Sequence, residues 1–115
     1  MRACAIYALG ARGERARAAV AVLIRQLADP SAYVGRLAAD ALSRIGSAAT
    51  APLVEVLRSG SPAARGQAAR ALAQIGDPSS IPALIAALDD DSPLVEYYAD
   101  MALHKLGVGT VLLRA

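Results

Sequence analysis

Apolar residues along this chain recur at the three-and-four spacing of a helix face. In "ARGQAARALAQIG", Ala68, Ala71, Leu72 and Ile75 fall at i, i+3, i+4 and i+7, the stripe of an amphipathic helix. Val and Ile stand singly or in pairs, with few of the alternating runs that mark strands. The phrase itself recurs. "RLAADALSRIG" ends at Gly46, "ARGQAARALAQIG" at Gly76 and "YYADMALHKLG" at Gly107, 30 and 31 residues apart. Ala41, Ala71 and Ala102 take one position, Leu42, Leu72 and Leu103 the next, and Ile45, Ile75 and Leu106 a third. The opening "RACAIYALG" echoes this half-unit through Ala5, Ile6, Leu9 and Gly10.

A second motif alternates with the first. "LIRQL" ends at Leu27, "LVEVL" at Leu57 and "LIAAL" at Leu88. The equivalent leucine of the following helix comes 15 residues later each time, at Leu42, Leu72 and Leu103. A constant interval means a turn of constant length, so each pair of helices is one supersecondary unit. The boundaries carry matching chemistry. Gly46, Gly76 and Gly107 stand where a left-handed C-cap is needed. "DPS" at Asp29–Ser31, "SPA" at Ser61–Ala63 and "SPL" at Ser92–Leu94 each put a capping residue before a proline in a first turn. Pro52 and Pro82 suit the first turns of the preceding helices. These signals predict helices at 2–9, 14–28, 31–45, 48–58, 62–75, 79–89 and 93–106, then a stub from Thr110. The expected fold is an all-α, right-handed solenoid: a single domain over 1–115, with a half repeat at 1–10, repeats at 11–46, 47–76 and 77–107, and a C-terminal stub at 108–115.

The pattern "AAxALxxIG…PLxxxL…DPxxxVR" resembles the short HEAT repeat first associated with phycobilisome lyases, and it covers nearly the whole chain. The resemblance implies a stack of antiparallel helix pairs whose surface holds another macromolecule, most simply as a protein-binding scaffold. It leaves open an accessory subunit that cradles a bilin or its carrier protein, and a nucleic-acid groove. Three departures stand out. The basic residue that follows the Val is kept as Arg65 but is Gly35 and Glu96 in the other units. Asp100 occupies the position of Ala39 and Ala69, which is expected to face inward. The linker from Gly10 to Leu23 is 13 residues, against 7 from Gly46 to Leu53 and 8 from Gly76 to Leu84, leaving room for an extra turn bearing Arg12, Arg15 and Arg17.

Composition supports tight helix packing: 56% of the residues are hydrophobic, chiefly Ala with Leu, Val and Ile, and the only aromatics are Tyr7, Tyr33, Tyr97 and Tyr98. The net charge of +2 is split unevenly. Residues 1–46 carry seven Arg against three acids (+4), residues 47–76 three Arg against Glu55 (+2), and residues 77–115 two bases against six acids (−4). One end is basic and the other acidic, so unlike ends could meet. Together with open solenoid ends exposing Ile6, Leu9, Val111, Leu112 and Leu113, this allows a homo-oligomer.

Little chemistry is on offer. The single Cys4 rules out an internal disulfide and fits a reducing compartment. Ala18 to Ile24, the longest uncharged apolar run, is far short of the ~20 residues of a membrane span. The opening apolar run is cut at Gly10 and Arg12, too early for a secretory leader. A soluble, cytoplasmic protein is expected. One His and one Cys lie at opposite ends, His104 and Cys4, so no metal set converges. The His-Glu pairs of HEAT-type iron hydroxylases are missing, as is a phosphate loop. Cys4 has no candidate His nearby in sequence or repeat register, so it is expected to be a small, partly exposed residue. No cofactor and no enzymatic activity are expected.

What remains is surface. Equivalent positions on the second helices line up as rows across the array: Cys4, Asp40, Arg70 and Met101; Tyr7, Ser43, Ala73 and His104; Ala8, Arg44, Gln74 and Lys105; Arg36, Gly66 and Tyr97, with Leu37, Gln67 and Tyr98 beside them. The candidate partner face is therefore Arg36, Asp40, Arg44, Arg70, Gln74, Tyr97, Tyr98, Met101, His104 and Lys105 on the concave side. Arg36, Arg44 and Arg70 could meet phosphates, but Asp40 interrupts them and the last unit is acidic, which argues against nucleic acid.

Overall fold

The computed structural model describes residues 19–108. Within them the chain is helical, in the order α1 (Val20–Gln26), α2 (Ala32–Ile45), a 3-10 turn (Gly46–Ala49), α3 (Thr50–Ser59), α4 (Pro62–Ile75), a second 3-10 turn (Pro78–Ser80), α5 (Ile81–Ala87) and α6 (Pro93–Lys105). The expected helix at 2–9 and the stub from Thr110 lie outside the described residues, as do Cys4, Tyr7, Ile6, Leu9 and Val111–Leu113.

Two of the three second-helix starts follow the predicted caps, while the Ser92 hydroxyl at the start of α6 makes no cap hydrogen bond. The Ser31 and Ser61 hydroxyls accept from Val34 N–H at 3.4 Å and Ala64 N–H at 3.3 Å. Where Asp stands two residues before the cap serine, it fixes the turn: Asp29 accepts from Ser31 N–H at 2.9 Å and Asp90 from Ser92 N–H at 2.8 Å. The ends follow too. Gly46, Gly76 and Gly107 have φ of 85°, 69° and 84°, values that an L side chain rarely adopts. Gly76 is a left-handed cap, and at Gly107 the Schellman pattern closes α6, with Val108 N–H donating to the Leu103 carbonyl at 2.8 Å and Gly107 N–H to the His104 carbonyl at 3.1 Å; the chain after Gly46 instead coils directly into a 3-10 turn.

Differences from the expected boundaries have local causes. The helix expected at 14–28 begins at Val20 among the described residues and ends at Gln26, with Ala19 already outside it and no side chain capping its start. The helices expected to start at 48 and 79 each open with a 3-10 turn, so their α-helical parts begin at Thr50 and Ile81. Asp77 accepts from Ser79 N–H at 3.0 Å and holds the second of these turns. Arg58 lies in the last turn of α3.

The core is a ladder of leucines between two layers. Leu23, Leu53 and Leu84 from the first helices, and Leu42, Leu72 and Leu103 from the second, have no exposed surface. Alanines fill the narrower gaps between second helices: Ala38, Ala39, Ala41, Ala68, Ala69, Ala71, Ala99 and Ala102 are fully buried. Small side chains let backbones approach, so α2, α4 and α6 pack closely side by side, while α1, α3 and α5 stand further apart. Glycine marks the closest approach. A Cβ on Gly66 would sit 3.1 Å from Leu94 Cδ2, and one on Gly35 would sit 3.1 Å from the Leu27 carbonyl oxygen.

Asp100 shows what stacking does to a position. Ala39 and Ala69 are buried because the next second helix covers them. The expectation that Asp100 also faces inward does not hold: its side chain is 42% exposed. The whole flank agrees. Gly66, Ala69 and Ala73 lie buried on α4, whereas the equivalent Tyr97, Asp100 and His104 on α6 are exposed or half-exposed. Among the described residues no further helix covers that side of α6, and the flank is polar to match.

Candidate functional site

The outward stripe of each second helix follows from its covered sides. On α2 the outward residues are Tyr33, Leu37, Asp40 and Arg44, spaced four, three and four, within one narrow sector of the helix. Thirty residues on, α4 presents Ala63, Gln67, Arg70 and Gln74; thirty-one further, α6 presents Leu94, Tyr98, Met101 and Lys105. Side by side these make a surface three helices wide and four rows deep.

Rows differ in chemistry. The row nearest the helix starts is Tyr33, Ala63 and Leu94, with Tyr33 65% and Leu94 51% exposed. Next come Leu37, Gln67 and Tyr98, half-buried, with Leu37 and Tyr98 packed on the core. Tyr97 flanks them at 61% exposed, its ring edge-on to Tyr98 with centroids 5.3 Å apart. The third row is Asp40, Arg70 and Met101. Here Arg70 Nη1 donates to Asp40 Oδ1 at 3.0 Å, tying α4 to α2. The fourth row, near the helix ends, is Arg44, Gln74 and Lys105, all exposed.

The structure thus brings Asp40, Arg44, Arg70, Gln74, Tyr98, Met101 and Lys105 onto one surface, and puts Arg36, Tyr97 and His104 on its flanks. Two of the expected rows need correction. Gly66 and Ala73, placed in rows with Arg36 and Tyr97 and with Ser43 and His104, are buried under the next helix and contribute nothing to the surface. The row of Tyr33, Ala63 and Leu94 was absent from the expected face. Its signal was the same helical spacing continued four residues back from Leu37, Gln67 and Tyr98. His104 turns toward its own helix, with Nδ1 2.9 Å from the Asp100 carbonyl oxygen and 3.6 Å from Asp100 Oδ1.

A second ion pair lies at the opposite edge of the layer. The Arg65 guanidinium grips Asp90 with Nε to Oδ2 at 2.9 Å and Nη2 to Oδ1 at 3.0 Å, and Nη1 donates to the Gly60 carbonyl at 2.9 Å. Burial works to raise the Asp90 pKa. The Arg65 hydrogen bonds, the Ser92 N–H and the Arg65 charge together outweigh it, holding the carboxyl below its ordinary value. Asp77 is also held low, chiefly by the Ser79 N–H and hydroxyl. Both are structural carboxylates at turns, and neither lies on the outward surface of α2, α4 and α6.

Among the described residues no group of three or more His, Cys, Asp or Glu could hold a metal ion, and no helix is long and apolar enough to cross a membrane. A depression of about 660 Å³ lies between the first helices α1 and α3 and is lined by Val20, Ile24, Pro52 and Val56. The family model described as HEAT repeats matches residues 50–112. No curated protein matches the chain.

Proposed function

The chain belongs to the HEAT-repeat family, and from that premise we propose that it is a non-catalytic scaffold that holds another protein on the concave face of α2, α4 and α6. The observation that carries this reading is the stripe itself. Three helices stacked through alanines leave one continuous surface on which apolar, aromatic and cationic side chains stand exposed in rows. Aromatic and Met side chains and Arg are the residues that protein interfaces enrich. Nucleic acid is the weaker reading, since Asp40 neutralises Arg70 at the centre of the face. The bilin-cradling alternative rests on the sequence resemblance alone. Self-association through the α6 flank has to contend with Asp100 and His104, which keep that flank hydrated.

A photo-crosslinking side chain tests the reading in the native host. Placed at Gln74 on the concave stripe, it should give discrete protein adducts. Placed at exposed Ala86 on the first-helix face, it should give none of them. Adducts formed only from Ala86 would overturn the assignment.

A further inference from the structure

The repeat register sets two pairs of opposite charges on neighbouring helices, and only one of them closes. Asp40 and Arg70 are thirty residues apart on the second helices α2 and α4, and they meet at 3.0 Å. Arg25 and Glu55 are also thirty residues apart, on the first helices α1 and α3. Among the described residues neither forms an ion pair, and both side chains are exposed. The difference is spacing. Small side chains bring α2 and α4 together, whereas α1 and α3 stand further apart. The gap between them is the depression of about 660 Å³, with Arg25 on one wall, Glu55 on the other, and Val20, Ile24, Pro52 and Val56 between.

An unpaired cation on one wall and an unpaired anion on the other make this groove complementary to itself. α1 and α3 are equivalent helices of successive units and run the same way. A two-fold axis laid along the groove, parallel to both helices, sets α1 of one copy over α3 of the other. Arg25 then faces the partner subunit's Glu55, and Glu55 faces the partner subunit's Arg25. An axis laid across the helices would instead set like charge on like. We propose that the groove between α1 and α3 is a homodimer interface, occupied by the same groove of a second copy of this chain. The contact is isologous, so it closes at two copies. Burial of the apolar lining supplies the attraction, and the two crossed ion pairs fix the register. Any other occupant would have to bring both signs of charge to one row, which a second copy does by symmetry. The interface lies on the first-helix layer and leaves the stripe of α2, α4 and α6 uncovered, so the proposal does not depend on what that stripe holds. It also differs from a contact through the ends of the stack.

Sedimentation equilibrium of the full chain, from about 1 μM to about 1 mM, tests this across the range of weak association. The expected result is a monomer–dimer equilibrium that added salt weakens. R25E and E55R should each weaken it by roughly tenfold or more, because one reversal sets like charges together twice in a two-fold dimer. The double variant R25E/E55R should restore the dimer. An equal mixture of the R25E and E55R chains should restore it too, since every pair across that heterodimer is again of opposite sign. A21E, at an exposed residue lining the groove, should weaken the dimer. R58E, on α3 outside this groove, should leave it unchanged. Circular dichroism melts confirm that each variant folds. A strict monomer at about 1 mM would overturn the proposal. Dimers indifferent to R25E, E55R and A21E would place the contact on another face and overturn it as well. Weakening by the single reversals without recovery in the mixture would refute the crossed pairing, and oligomers that keep growing with concentration would refute the closed two-fold.

Discussion

The grip of Arg65 on Asp90 joins the second helix pair to the third, and its contribution can be worked out from its geometry. Arg65→Met keeps the aliphatic stem and removes all three guanidinium hydrogen bonds. Asp90→Asn keeps an acceptor for Ser92 N–H and removes the charge. Fully exposed ion pairs contribute only about 0–1 kcal/mol, whereas hydrogen bonds to charged groups reach about 1.5–3 kcal/mol when shielded. The two side chains are 18% and 13% exposed and paired bidentately, so the coupling should fall near 1–2 kcal/mol. A double-mutant cycle in urea at pH 7 isolates it, with unchanged m-values showing that the denatured state is the same. The pH dependence supplies a second constraint. Asp90 titrates lower in the folded than in the unfolded chain. Its stabilisation is complete above the unfolded carboxyl value of ~3.9 and is lost as pH falls through the folded value. The coupling should therefore shrink toward zero in a cycle repeated in strong acid. Coupling below about 0.3 kcal/mol at pH 7, or coupling that survives acid, would refute the account of this junction.

Three further outcomes follow from the packing. Leu72→Ala, in the centre of α4 with no exposed surface, should cost about 2–5 kcal/mol and lower the Tm sharply, while Arg58→Ala on the exposed face of α3 should barely move it; both are read by thermal circular dichroism. Gly76→Ala, at φ 69° with open space around its Cβ, should cost about 1–2 kcal/mol from backbone conformation alone, and Gly76→Asn should recover part of that. Asp77→Asn should remove part of the stability lost on acidification, because the native carboxyl titrates below its ordinary value. Urea midpoints at pH 7 and in acid should converge relative to the unaltered chain.

Much of the candidate site was legible in the repeat register. Asp40, Arg70 and Met101 share a row because they sit thirty and thirty-one residues apart on equivalent helices, and the structure puts all three on one surface. The pairing of Arg70 with Asp40 is not legible there, although the carboxylate visibly interrupts the row of arginines. Register says that two residues lie side by side, but not that their side chains reach 3.0 Å. Arg65 and Asp90 were harder still. Their contact joins the start of one second helix to the turn before the next, two positions that belong to different motifs in the repeat.

By itself the sequence determined the helices, their capped ends and the residues aimed at the core. Those depend on local chemistry and on a period of 3.6, both of which are written in neighbouring residues. Only the tertiary structure decided which flank of each second helix is covered. Ala69 and Asp100 occupy one angular position, yet one is fully buried and the other half-exposed. Burial is not a property of a residue's angle on its own helix. It is conferred by a second helix thirty residues away, close enough to exclude water, and α6 has no such neighbour among the described residues.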